Sequence, residues 1–171
     1  MTLLFSTSKI EPNRVIWKLE IKLDCNWHKQ SYLYDNWSGF IALQLLSILL
    51  VASLFGGMIL FASSFGTLSF KLLNKATART LIRNTFPYFY LYVIVNSALA
   101  AVFCFYVNAI ACALMAIVCT TTIPNRQVLM PAINDASDSG DKKTWGRLHG
   151  LSVLITLVHI VLAGITLSYL L

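Results

Sequence analysis

Two groupings of polar residues interrupt long apolar stretches, and any chemistry the chain performs would reside there. Asn96 and His159 each stand near the centre of an uncharged run. If those runs cross a bilayer, both side chains lie near its midplane, and a hydrogen bond between them is within geometric reach. Such a pair has two readings. One is interhelical bonding worth about 1 kcal/mol; the other is the lining of a buried pocket or proton path, since ionisable groups inside a membrane are functional candidates. The second grouping sets Asn125 and Arg126 against Arg147, His149 and Ser152, with Thr156 a turn further on. Sequence order alone would bring these to one end of a bundle.

The chemistry open to these groups is narrow. A single histidine with no second ligand does not make a metal site, and the uncharged runs contain no carboxylate to complete a Ser, His and acid set. No glycine-rich phosphate loop is present. The four cysteines, Cys25, Cys104, Cys112 and Cys119, show neither CxxC nor metal-ligand spacing and read as small buried apolar groups. No catalytic residue, metal or cofactor is expected, and the residues lean away from an enzyme.

The elements that must position these groups follow from composition. The chain of 171 residues is 57% hydrophobic and 12% charged, where a soluble domain carries roughly 25% charged residues. So much apolar surface needs lipid as its solvent. The net charge of +6 comes from 13 Lys and Arg confined to polar stretches between the runs, with no interleaved aromatics, which speaks for membrane-flanking charge and against nucleic-acid binding.

Ser38 to Ala62 is a 25-residue uncharged run, long enough to cross a hydrocarbon core of about 30 Å. Phe86 to Ile123 holds 38 uncharged residues, enough for two crossings joined by a tight turn near Tyr106 to Asn108. With a last span over 148–171, the expected crossings are 38–62, 86–106, 108–123 and 148–171, an all-α antiparallel four-helix membrane bundle with left-handed packing. Residues 1–37 form a separate polar and aromatic extension without the apolar core of a signal peptide. Within it Val15 to Asp24 alternates apolar and charged residues as a strand would. Trp17, Trp27, Tyr32, Tyr34 and Trp37 suit an interfacial position, the other expectation being a poorly ordered tail.

Between the first two spans, Lys71, Lys75, Arg79 and Arg83 recur at every fourth residue, predicting a short helix with one basic face. With no acidic partner in sight, that face is expected to meet anionic lipid headgroups, or failing that an anionic ligand. Pro124 to Arg147, rich in Asp, Ser and Gly, is predicted to be a loop. The first and third loops carry eight basic residues and the turn between them none, which places both loops in the cytoplasm and both termini opposite. In the last span His149, Ser152, Thr156, His159, Ala163 and Thr166 form one small and polar stripe that should face other helices, and Ala109, Cys112, Ala116 and Cys119 repeat the pattern in the third. Gly56 and Gly57 complete the expected contact positions.

Three blocks resemble the transmembrane protein 205-like family of small four-helix membrane proteins, whose defining domain has no established biochemical function. They are FGGMILF from Phe55 to Phe61, FPYFYLY from Phe86 to Tyr92, and WGRLHGLSVL from Trp145 to Leu154. Asn125 and Pro131 are similar to an N and P in the family's preceding loop. The resemblance marks Gly57, Phe86, Pro87, Asn125, His149, Gly150 and Ser152, and implies close packing for the glycines and a helix start at Pro87. Many relatives place an Asn shortly after HGLS, where this chain has Leu154, Ile155 and Thr156. IPNRQVLM and TWGRLHGLS are also similar, more loosely, to the anthrone oxygenase-like membrane proteins. That likeness would make Asn125, Arg126, Arg147 and His149 a cofactor-free site for a planar aromatic substrate.

Three functions follow as expectations. The bundle holds or handles a small hydrophobic or cationic molecule; or it assembles with a partner membrane protein through its small-residue faces; or it is the oxygenase.

Overall fold

The computed structural model describes residues 37–171. The expectations for the extension, the alternating segment from Val15 to Asp24 and the tryptophans and tyrosines up to Tyr34, lie outside the described residues. The chain divides into two units, Met1–Ile41 and Ala42–Leu171, and the bundle is the second.

Among the described residues, four helices are long and apolar enough to cross a membrane: α1 (Trp37–Leu72), α2 (Lys75–Phe105), α3 (Ala109–Asp138) and α4 (Lys142–Leu170). At about 1.5 Å per residue these 29 to 36 residues extend well beyond a core of about 30 Å, so their polar ends project past it. Each chain reversal is marked by a side-chain cap. Asn74 accepts from the Thr77 amide at the start of α2, and Asn108 accepts from Ile110 and Ala111 at the start of α3. Asp141 accepts from Lys143 and Thr144 at the start of α4. Gly140, at φ 74°, makes the turn before Asp141, in a region that L side chains rarely adopt.

Consecutive helices run antiparallel. The core joins Val51, Leu54 and Met58 of α1 to Phe89, Tyr90 and Val93 of α2, Met115 and Val118 of α3, and Ala163 of α4. Leu49, Leu60, Val102 and Val161 are exposed on the outside, as a lipid-facing surface requires.

Several expected boundaries shift. The helices overrun the apolar runs because charged residues end a hydrophobic span without ending a helix. The basic stripe is therefore not a helix of its own: the chain breaks at Leu73, extended at φ −116° and ψ 153°, leaving Lys71 on α1 while Lys75, Arg79 and Arg83 ride on the first turns of α2. Pro87 stands inside α2, not at its start. Most of the predicted loop from Pro124 is helical to Asp138, leaving Ser139 to Asp141 as the turn. Asp135, Ser137 and Asp138 are common in turns, but none of them lacks a backbone donor, so they do not stop a helix as proline does.

Both α1 and α3 contain a π turn, Phe61–Phe65 and Asn125–Leu129. The second lies between Pro124 and Pro131, whose missing N–H groups free the carbonyls of Thr120 and Gln127 from their usual donors. The Met130 amide reaches five residues back to Asn125 O. The first aims Phe61 into α2, where its ring stacks on Phe89 at 3.9 Å and meets Phe86 edge-on at 5.2 Å.

Candidate functional site

Buried Ser47, Ser97, Thr122 and Thr166 bond carbonyls of their own helices, while a smaller set of polar groups bonds across helix interfaces. Tyr92 of α2 donates to Ser53 O of α1 at 2.7 Å, and its oxygen lies 3.0 Å from Ser53 Oγ. Since the phenol proton goes to the carbonyl, Ser53 Oγ–H is the donor in the second bond. Tyr90 and Ser152 share a buried bond of 2.9 Å between α2 and α4. Gln44 Nε2 donates to Leu170 O at 3.0 Å, joining α1 to α4.

The expected Asn96 to His159 bond does not form. His159, buried, meets Thr121 Oγ1 of α3 at 2.8 Å instead. Thr121 directs its own proton to Ile117 O at 2.6 Å, so His159 Nε2–H is the donor in the bond between them. Asn96 is half-buried and its Oδ1 has no hydrogen-bond partner. Thr121 was invisible as a site residue because threonine commonly bonds its own helix backbone; its position four residues before Asn125 was the available signal.

Among the described residues, no hydrogen bond joins one member of the grouping of Asn125, Arg126, Arg147, His149 and Ser152 to another. Arg126 Nε donates to Pro87 O of α2 at 3.3 Å. His149 is exposed and stacks on Trp145 at 4.9 Å, one turn earlier on the same helix. Ser152 is taken by Tyr90, Thr156 bonds Ser152 O, and Arg147 is exposed. Asn125 alone is left: it is 3% exposed, and neither Nδ2 nor Oδ1 has a partner.

Asn125 lines a cleft of about 320 Å³ between α3 and α4, together with Thr121, Pro124, Val128, Leu129, Ala132, Leu148, Leu151 and Ile155. Thr121 and Asn125 stand one turn apart on the α3 side. A second cleft of about 330 Å³, lined by Ala101, Val102, Phe105, Tyr106 and Cys112, contains no residue with an unpaired buried polar atom.

The contact glycines differ from expectation. A Cβ on Gly57 would lie 2.6 Å from the Tyr92 hydroxyl, and one on Gly164 would lie 3.3 Å from the Phe55 ring, whereas Gly56 and Gly150 meet nothing within 4 Å. On α3 the buried face runs through Ala111, Met115, Val118, Thr122 and Asn125, offset from the predicted Ala109, Cys112, Ala116 and Cys119. At the polar ends, Arg83 forms a bidentate ion pair with Asp138, at 2.9 and 2.7 Å, supplying the acidic partner that the basic stripe lacked in sequence.

Four apolar crossings held together by interhelical hydrogen bonds define a multi-pass all-α membrane protein. The chain belongs to the family described as a domain of unknown function, DUF4149, whose match spans residues 49–142, just over half its length. No curated protein and no solved structure matches it. The matched region contains FPYFYLY, most of FGGMILF's helix, and Asn125; the WGRLHGLSVL block lies beyond it.

Proposed function

We propose that the chain is a multi-pass membrane protein of the transmembrane protein 205-like type that holds a small hydrophobic molecule in the groove between α3 and α4, with Asn125 as the polar anchor. The observation that carries this is the Asn125 amide, buried with both polar atoms unbonded beside an apolar groove. An unsatisfied buried polar group costs about 1 to 3 kcal/mol, which a bound partner recovers. The lining contains no charged and no aromatic side chain. It therefore favours a neutral aliphatic molecule over a cation, which needs a carboxylate or ring face, and over the planar substrate of an oxygenase.

The FGGMILF and FPYFYLY blocks support the family reading. All eight Lys and Arg of residues 37–171 lie toward the end where α1 and α3 finish and α2 and α4 begin. The positive-inside rule makes that end cytoplasmic, with Lys71, Lys75 and Arg79 meeting anionic headgroups. Assembly with a partner membrane protein is the second reading. Gly56 and Gly150 favour it, because each leaves open space on an outer helix surface where another backbone could approach.

Native mass spectrometry of the detergent-purified chain, with identification of what is released on unfolding, tests the groove. A retained small molecule that is lost in Asn125→Leu is the expected result. A chain that carries no small molecule but retains a second polypeptide would replace the groove with assembly.

A further inference from the structure

Asparagine presents an N–H donor and a carbonyl acceptor side by side on one planar group, and at Asn125 both are unbonded. Groups that satisfy only half of this leave the other half orphaned: an ester carbonyl accepts from Nδ2 but gives Oδ1 nothing, and an ammonium serves Oδ1 alone. The head that meets both is itself planar with an adjacent donor and acceptor. Charge is disfavoured, since none of the lining residues is charged and the Nε of Arg126, next along the chain, bonds Pro87 O on α2.

The rest of the groove sets the tail. Val128 and Leu151 are exposed at its rim, and a volume of about 320 Å³ lies at the small end of ligand pockets, roughly 300 to 1,000 Å³. It accommodates a head and the first part of a chain, the remainder running into the bilayer. The two Asn125 amide atoms are themselves covered, so binding requires side chains of the groove to move aside. Asn125 also opens the π turn, an element frequently found at functional sites.

We propose that the occupant is a long-chain amphiphile with an uncharged carboxamide or protonated carboxyl head, paired with both amide atoms of Asn125; this rests on the groove reading above. The full chain in mild detergent is titrated with oleamide, methyl oleate and oleylamine, which differ only in the head and the carbon that carries it, and binding is read by native mass spectrometry. Wild type should hold oleamide about tenfold more tightly than either of the others, equivalent to about 1.4 kcal/mol. Asn125→Leu, which replaces an unbonded polar group with an apolar one and should fold, should reduce that preference to about one. Ala132→Phe, which fills the groove, should abolish binding of all three. Oleic acid in acid and alkaline buffer separates the heads: binding only in acid admits the carboxyl, and binding in neither confines the site to the carboxamide. Equal binding of oleamide and methyl oleate, lost in Ala132→Phe, would overturn the head assignment and leave the groove standing. Binding that Ala132→Phe does not change would overturn both.

Discussion

Replacing Gly57 with alanine tests how closely α1 and α2 are joined. The new Cβ would sit 2.6 Å from the Tyr92 hydroxyl, against the 3.4 Å where ordinary contact begins, so about 0.8 Å must be found. The hydroxyl is not free to supply it, because it donates to Ser53 O at 2.7 Å and accepts from Ser53 Oγ at 3.0 Å. Moving it by that amount away from Ser53 takes the shorter bond to about 3.5 Å, past the useful range of about 3.2 Å. The loss is the bond, about 0.6 kcal/mol on average and up to about 1.7 kcal/mol inside a membrane, together with overpacking of about 1 to 3 kcal/mol. Removing a helical glycine returns about 0.5 to 1 kcal/mol. A net destabilisation of about 0.6 to 4 kcal/mol is expected, read by SDS titration in mild detergent followed by circular dichroism. Gly56→Ala is the internal control: its Cβ meets nothing within 4 Å, so it should be neutral or slightly stabilising. In a Tyr92→Phe background the cost of Gly57→Ala should shrink without vanishing, since ring carbons remain at 3.0 and 3.1 Å. Equal effects of Gly56→Ala and Gly57→Ala, or an unchanged cost in Tyr92→Phe, would refute the reasoning.

Thr121→Val and His159→Leu should show a coupling of about 0.6 to 1.7 kcal/mol in a double-mutant cycle, whereas Asn96→Leu with His159→Leu should be additive. Tyr90→Phe leaves Ser152 without its buried partner and should cost about 1 kcal/mol by the same titration. Arg83→Ala should destabilise only slightly and lose its effect at high salt, because both members of the pair with Asp138 are well exposed. The Asp141 carboxyl is held below its ordinary range, first by its side-chain bond to Thr144 and then by the Thr144 amide. Its folded value is depressed, so its contribution is complete above the unfolded value and disappears as pH falls through the folded one. Asp141→Asn, which keeps an acceptor but cannot titrate, should flatten thermal stability across that acidic window.

The bundle was legible because hydropathy reports the solvent directly: uncharged runs of this length have few alternatives to lipid. The turn at Tyr106 to Asn108 was legible for the same reason, since 38 uncharged residues cannot make one crossing. Helix ends were not, because hydropathy locates the edge of the bilayer while caps and backbone donors locate the edge of the helix. Asn74, Asn108 and Asp141 determine where α2, α3 and α4 begin, and only Asn108 stands at a hydropathy boundary. Partner choice was the least legible feature. His159 was correctly singled out as a polar group facing the interior, but whether it meets Asn96 or Thr121 depends on helix register, which a single sequence does not contain. Likewise Gly56 and Gly57 are equivalent in sequence, and only the rotation of α1 decides that Gly57 faces Tyr92.

That register is the property the interhelical polar pairs determine. Lipid is as apolar as leucine, so burying side chains against another helix gives little driving force beyond packing itself. Directional bonds can then decide how helices slide and rotate, and this chain places them at several different interfaces: Ser53 with Tyr92 for α1 and α2, Pro87 with Arg126 for α2 and α3, Thr121 with His159 for α3 and α4, and Tyr90 with Ser152 for α2 and α4. Asn125 stands apart from them, 3% exposed and one turn beyond Thr121 with both polar atoms unbonded. Were its role structural, a leucine there would hold α3 against α4 without leaving donors and acceptors orphaned in a medium that offers them nothing. A molecule from the bilayer that bonds both atoms removes that conflict, and the stability of Asn125→Leu separates the two cases. The variant should be as stable as the unliganded wild type or more so, and should lose the stabilisation that the ligand confers.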